Sequence, residues 1–291
     1  MRHGPGLLGK SWLAAKCLSP YLRDRPRGRI ARTRFGAEIA VDTRDLIQRY
    51  IYMFGVWEPH MTRWLTRRLR PGDTFIDVGA NIGYFSLLGA RLVGPAGRVV
   101  AIEASPTFYR SVVANARRNA CRNVRAVNLA VCDARRSLTF TLASSRNMGA
   151  NSIVPYDGPA EASFEAQALP LTEVLTASEV AEARVIKVDV EGAEGSVIRG
   201  MKPLLDRLRP DAEITVEVAP ERMARLGDSA DELLATMLDF GFHAYRQPND
   251  YAAESYPAAL RSAGAPLARV RGPLVEECDL VFSHVDADVL P

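Results

Sequence analysis

The chain has 291 residues, 47% of them hydrophobic and 24% charged, enough to bury the core of one large α/β domain and still carry extensions. No run approaches the roughly 18 apolar residues of a membrane-spanning helix, and Cys17, Cys121, Cys132 and Cys278 lack the spacing of a disulfide framework or a zinc site. The N-terminal stretch, interrupted by Lys10 and Lys16, does not read as a signal peptide, so the expected compartment is a reducing cytoplasm.

The net charge of +3 conceals an asymmetry: residues 1–36 carry nine Lys and Arg against one Asp, and the remainder is acidic. Arg23, Arg25, Arg27, Arg29, Arg32 and Arg34 form a run that could engage the phosphates of nucleic acid or of anionic lipid, or stand as a solvated leader. No aromatic residue is interleaved with these arginines to stack on bases, which favours the solvated reading over nucleic-acid binding and leaves at most a weak membrane-surface contact. The expected division is a basic arm and extension over 1–44 and a catalytic domain over 45–291, with 45–70 as its N-terminal cover.

From residue 74 onward, short apolar runs alternate with helical stretches, the pattern of parallel strands joined by crossover helices. A strand over 74–78 leads through a glycine-bearing turn into a helix over 83–92, closed by Gly94 and Pro95. A second strand spans 98–103, and Ser105-Pro106 opens a helix with a hydroxyl cap and an early proline. A third strand covers 124–131, and Leu138, Phe140 and Leu142 alternate as in a half-exposed edge strand. The stretch 143–170 reads mostly as loop, long enough to face substrate or act as a lid. Strands at 184–190 and 213–218 follow, then a helix capped by Asp228 and ended by Gly241, and strands at 242–245 and 279–283. The Pro-rich segment 247–276 is expected as an irregular insertion near the acceptor site.

Two motifs concentrate the chemistry. In Asp77-Val78-Gly79-Ala80-Asn81-Ile82-Gly83, the first glycine permits a tight turn and the second lets the next helix approach a ligand. The glycines are four apart, not the GxGxxG of a dinucleotide site, and the loop reads as one that holds S-adenosylmethionine. Glu103 ends the second strand 20 residues after Gly83, where doubly wound folds place an acid that accepts from ribose hydroxyls. Asp133, just past the third strand, is a candidate acceptor for an adenine amino group.

In Val185-Ile186-Lys187-Val188-Asp189-Val190-Glu191-Gly192, period-two alternation puts Lys187, Asp189 and Glu191 on one face of a central strand. Unpaired burial of such groups costs several kcal/mol, roughly, so they pair with one another, meet Glu217 on the next strand, or face a polar cleft. An internal ion-pair network and a catalytic site both satisfy that requirement.

These motifs, together with RYIYMFGVWEP (49–59), PGDTFIDVGANIGYFSLLGARLVGPAGRVVAIEASP (71–106), NMGANSIVP (147–155), VIKVDVEGAEGSVIRGM (185–201) and ITVEV (214–218), resemble the FkbM family of methyltransferases over about residues 45–245. The resemblance implies a Rossmann-like class I methyltransferase fold: a seven-stranded, mostly parallel sheet with an antiparallel last strand and helices on both faces. It implies S-adenosylmethionine as cofactor, held by Asp77, Gly79, Ala80, Asn81, Gly83, Tyr84, Glu103, Ala104 and Ser105, with Glu58 as a further contact from the cover. It implies O-methylation of a hydroxyl on a sugar, glycolipid or polyketide-type natural product. Where members often carry a histidine after the motif glutamate, the order here is Glu217-Val218-Ala219.

An alcohol needs a base or a metal to become a good nucleophile, and the candidates are Asp189, Glu191 and, with a pKa lowered by burial, Lys187. His3, His60, His243 and His284 fall in no motif. Oxygen ligands from Asp189 and Glu191 would suit a magnesium-like cation, but two carboxylates at i and i+2 do not call for one. The competing readings are an RNA or protein methyltransferase using the basic arm, against which no NPPY-type motif and no CxxC is present, and a catalytically silent binding module of the same fold.

Overall fold

The structure is a computed structural model that describes residues 12–142, 151–153 and 162–290. The strands are β1 (Gly28–Arg32), β2 (Glu38–Asp42), β3 (Thr74–Val78), β4 (Arg98–Ile102), β5 (Val124–Val127), β6 (Ala130–Val131), β7 (Arg136–Leu142), β8 (Asn151–Ser152) and β9 (Ala162–Leu169). They continue with β10 (Ala183–Val188), β11 (Glu213–Val218), β12 (His243–Gln247), β13 (Leu267–Arg269), β14 (Cys278–Ser283) and β15 (Val289–Leu290).

The main sheet runs β15-β13-β12-β14-β11-β10-β3-β4-β5. Strands β11, β10, β3, β4 and β5 are mutually parallel, and β14 inserts antiparallel between β11 and β12. The seven strands from β5 to β12 are therefore the expected Rossmann-like sheet with its last strand reversed, and β13 and β15 extend its edge. β3 is buried along its whole length, as a central parallel strand covered on both faces must be, which is why it reads as a continuous apolar run interrupted only by Asp77.

Helices Tyr84–Val93, Pro106–Arg118 and Glu194–Leu205 connect the parallel strands. Ser105 caps the second of these as its sequence predicts, accepting from the Phe108 amide. For the helix Ala230–Asp239 the cap is Ser229 rather than Asp228, whose carboxylate instead meets Arg199. The apolar core lies in two main layers, one on each face of the sheet.

Three further segments depart from the expected layout. β7 is not an edge strand of the main sheet but an inner strand of a separate sheet, β6-β9-β7-β8. The stretch expected to be mostly loop contains β9, whose fully buried residues are Ala166 and Ala168, too small to mark a strand by hydrophobicity. The rest of that stretch, 143–150 and 154–161, lies outside the described residues, as does most of NMGANSIVP. In the basic N-terminal region, β1 and β2 pair as a hairpin whose Ala31, Ile39 and Val41 enter the domain core. Among the described residues, no helix is long and apolar enough to cross a membrane.

Candidate active site

At the carboxyl ends of β3, β4 and β10 the sheet opens into a cleft of about 740 Å³, part of it open to solvent. Open α/β sheets bind ligands at this edge, because the strand ends and following helix N-termini present polar groups there. The turn after β3 shapes its floor. Gly79 has φ +84°, and a Cβ at that position would lie 1.7 Å from the Asp189 carbonyl oxygen, so the backbones of the two motif loops touch where only glycine fits. Asn81 is also left-handed (φ 53°) and donates its amide to Glu103 Oε2 at 2.7 Å.

Glu103 is thereby tied to the glycine loop at one oxygen and, through Oε1, to the Ser105 amide at 2.8 Å. Each carboxylate oxygen accepts twice, so both keep a lone pair for a ligand. Burial pushes the carboxyl up to about 7 against these two amide donors. Asp77 is fully buried, with Oδ2 accepting from Ser86 Oγ at 2.5 Å and Oδ1 without a hydrogen-bond partner. Burial raises its pKa as well, opposed by Lys187 and Ser86.

The far wall is apolar: Ile102, Phe108, Leu138, Phe140, Ile153 and Phe164 line it. Phe140 and Phe164 stack with centroids 5.0 Å apart, one from each of the paired strands β7 and β9. An apolar slot beside Glu103, a backbone cradle at Gly79 and an unpartnered buried oxygen on Asp77 fit an adenosine-bearing cofactor. Gly79, Asn81, Glu103 and Ala104 line the cleft, and Gly83 and Ser105 are the N-caps of the helices that follow β3 and β4.

At one end of the cleft, five acids converge from four parts of the chain. Asp189 and Glu191 follow β10, Glu217 lies in β11, Asp279 in β14, and Glu58 starts the helix Pro59–Arg68. Lys187 Nζ is 2.7 Å from Asp189 Oδ2 and 5.1 Å from the centre of the Phe85 ring. Arg222 joins Glu191 (2.6 Å), Glu217 (3.3 Å) and Glu277 (3.1 Å). The Tyr251 hydroxyl reaches Glu217 at 3.0 Å and Glu58 at 3.4 Å, and its ring stacks on Trp57. Asn249 donates to Asp279 at 2.6 Å.

The electrostatics follow from this crowding. Burial and then Asp189 raise Glu191 to about 8 and Asp279 to about 7. Glu217 and Glu58 are held well above the usual carboxylate range, by burial first and neighbouring acids second. For Lys187, burial acts to lower the pKa but is outweighed by Asp189, Asp77 and Glu58, so its ammonium is stabilised and the expected lowering does not occur. Lys187 therefore cannot serve as the neutral base the sequence left open.

Carboxylate oxygens of Asp189, Glu191 and Glu217 lie within 4.8 Å of one another, the spacing of a cation site. Lys187 and Arg222 already stand against all three, so the donor set does not fit a divalent ion. Three sequence candidates sit elsewhere. Asp133 is bound to Arg136 (2.9 Å) and Arg199 (3.1 Å) and is not part of the cleft lining. Tyr84 is buried beneath the cover, its hydroxyl 3.1 Å from Thr62 Oγ1. Glu58 belongs to the acid cluster rather than to the cofactor cradle. Among the described residues, no histidine lines the cleft.

Sequence reasoning missed Arg222, Tyr251, Asn249 and Asp279. Arg222 follows a proline just past β11, so an arginine five residues after the motif glutamate was the available signal. Nothing local marks the other three, which arrive from the insertion and the reversed strand.

A parallel sheet with one inverted strand, a glycine-cradled cleft at its carboxyl edge and an acid at the end of the second strand define a Rossmann-like methyltransferase domain. The chain belongs to the methyltransferase FkbM domain family, which it matches over residues 77–244. It is similar to the 31-O-demethyl-FK506 methyltransferase FkbM of Streptomyces tacrolimicus, 29% identical over 164 residues covering 46% of this chain and 61% of that protein. Among solved structures it is similar to methyltransferase FkbM from Methylobacillus flagellatus KT (14% identity, TM-score 0.45, 76% of this chain and 50% of that one). It is also similar to Aeropyrum pernix fibrillarin with natively bound S-adenosyl-L-methionine (12% identity, TM-score 0.44, 88% and 82%). The chain thus spans 61% of the length of the first relative and half that of the second.

Proposed function

We propose that this protein is an S-adenosylmethionine-dependent O-methyltransferase whose acceptor hydroxyl is received by the acid cluster beside the cleft. The observation that carries the reading is the pairing of a cofactor-shaped cradle at Gly79 and Glu103 with Asp189 and Glu191, which line the same cleft. The relative from Streptomyces tacrolimicus is named for methylation at an oxygen, in keeping with an alcohol acceptor. A hydroxyl of a sugar, glycolipid or polyketide-type product is the proposed substrate class.

In this reading Glu103 accepts from the ribose, the Gly79–Asn81 backbone lies against the amino-acid portion, and the Phe140–Phe164 wall faces the base. The cofactor supplies a methyl group on a sulfonium. Everything else is positioning and proton removal by the chain itself. Glu191, with a pKa near 8, is a base matched to neutral or slightly alkaline conditions, and Arg222 holds its Oε2 in place. Asp189 orients the acceptor and is itself held by Lys187. Tyr251 and Trp57 close the acceptor end.

Isothermal titration with S-adenosylmethionine and transfer of labelled methyl to a panel of hydroxyl compounds test this. Asp189→Asn and Glu191→Gln should each lower turnover at least about tenfold with cofactor affinity nearly intact. Full activity of both variants would make the acids structural, and absence of cofactor binding at high micromolar concentration would sink the enzyme reading.

A further inference from the structure

Exposed apolar residues of the described chain concentrate in one stretch of the sequence. Of the nine large hydrophobic side chains that stand out from the surface, four are Trp12 (62% exposed), Leu13 (48%), Tyr21 (45%) and Ile30 (47%), all within the basic N-terminal region. Trp12 leads into a π-helical segment, Leu13–Leu18, that runs directly into the α-helix Ser19–Asp24. Ala14 and Leu22 of this double segment are buried, while Trp12, Leu13, Lys16, Cys17, Tyr21 and Arg23 are exposed. Arg25, Arg27 and Arg29 continue the exposed charge up to Ile30, and the Arg25 guanidinium lies 5.1 Å from the Tyr21 ring centre.

A buried stripe holds the segment on the domain, so the opposite face is presented in a fixed orientation. Thr43 donates to the Leu22 carbonyl, and Arg49 Nε donates to Ser19 Oγ at 3.1 Å. Arg49 lies in the helix Leu46–Phe54, whose Ile47 reaches the cleft. The outward face is thus one helix away from the site.

We propose that this face docks on an anionic phospholipid bilayer. Arginines supply attraction to the headgroups, and Trp12, Leu13, Tyr21 and Ile30 enter the boundary between headgroups and acyl chains. The aliphatic members decide between lipid and nucleic acid: Leu13 and Ile30 have no planar face to stack on a base, whereas a bilayer surface takes up aliphatic and aromatic groups alike. The charge is complementary, with Asp24 the one acid among residues 12–36.

The test uses the full chain with vesicles of pure phosphatidylcholine and of phosphatidylcholine containing about one third phosphatidylglycerol. Sedimentation should recover the protein with the anionic vesicles only and release it at high salt. Trp57 and Trp64 are buried at 7% and 6% exposure, so a blue shift of the red-edge emission reports Trp12 entering the bilayer. Arg25→Ser with Arg29→Ser should weaken partitioning about thirtyfold, and Trp12→Ser with Leu13→Ser should lower recovery with the anionic vesicles. Both variants should leave S-adenosylmethionine binding by calorimetry unchanged, which separates failure here from failure of the enzyme reading. Absence of vesicle binding, binding by the Trp12 and Leu13 variant equal to that of the parent, or displacement from vesicles by stoichiometric RNA would overturn the proposal.

Discussion

Gly79→Ala isolates the steric demand at the junction of the two motif loops. An alanine Cβ there would stand 1.7 Å from the Asp189 carbonyl oxygen and 2.9 Å from its carbon, both backbone atoms that cannot swing aside. The residue would also keep a left-handed φ of +84°. Gly72 supplies the control, because it has φ +94° but nothing within 4 Å of an added Cβ. The left-handed conformation alone costs about 1–2 kcal/mol for a residue with a Cβ, and overpacking in a rigid setting adds about 1–3 kcal/mol. Gly79→Ala should therefore lower the melting temperature by on the order of 10 °C and Gly72→Ala by about 4 °C. Distortion of the glycine turn itself should also weaken S-adenosylmethionine binding at least about tenfold in the first variant, with no change in the second. Differential scanning calorimetry and isothermal titration give both quantities. Equal destabilisation by the two substitutions would show that the loops move apart freely and that their contact does not shape the cradle.

Glu103→Gln leaves one acceptor oxygen for the amides of Asn81 and Ser105 and turns an NH2 group toward the other. Loss of a charge-assisted bond of about 1.5–3 kcal/mol should weaken cofactor binding roughly tenfold to a hundredfold by titration, and an unchanged dissociation constant would remove Glu103 from the cradle. Arg222→Gln takes away the cation opposing Glu191 and Glu217, so the alkaline-rising limb of the pH–rate profile should move upward by on the order of one unit; a limb that stays in place dissociates Arg222 from the base. Glu103 and Glu194 are both raised from 4.5 to about 7, chiefly by burial. Their contribution to stability is fully present below about 4.5 and is lost as pH rises through about 7, so the cofactor-free protein should melt at a lower temperature at pH 8.5 than at pH 5.5. A rising melting temperature across that window would contradict the assignment.

The centre of the main sheet was legible because β3, β4 and β10 are buried along nearly all their length and so are written as mostly apolar runs. Lys187 and Asp189 were legible as a pair for the opposite reason, since charge in a central strand must be compensated nearby, and it is, at 2.7 Å. β9 was not legible: its buried positions are alanines, and its pairing with β7 brings together residues that no local period connects. Glu191 departs from the simple alternation because β10 ends at Val188 and Glu191 itself is left-handed, at φ 60°. That turn sends it to Arg222, a partner on another element, instead of leaving it in register with Asp189.

The acid cluster explains why the site could be only half read. Its five carboxylates reach one place through the N-terminal cover, two adjacent parallel strands and a reversed strand, so no sequence window holds more than two of them. Two protein cations face five acids, and burial together with the neighbouring acids raises the pKa values of Glu191 and Asp279. A site charged in this way binds an extra positive charge more readily than a neutral one, because the incoming charge lowers those pKa values and releases protons. In the proposed reaction, a carboxylate of this cluster accepts the proton of the alcohol. The departure at Glu217-Val218-Ala219 is thus matched by the cluster itself, in which Arg222 and Tyr251 hold the acids in place.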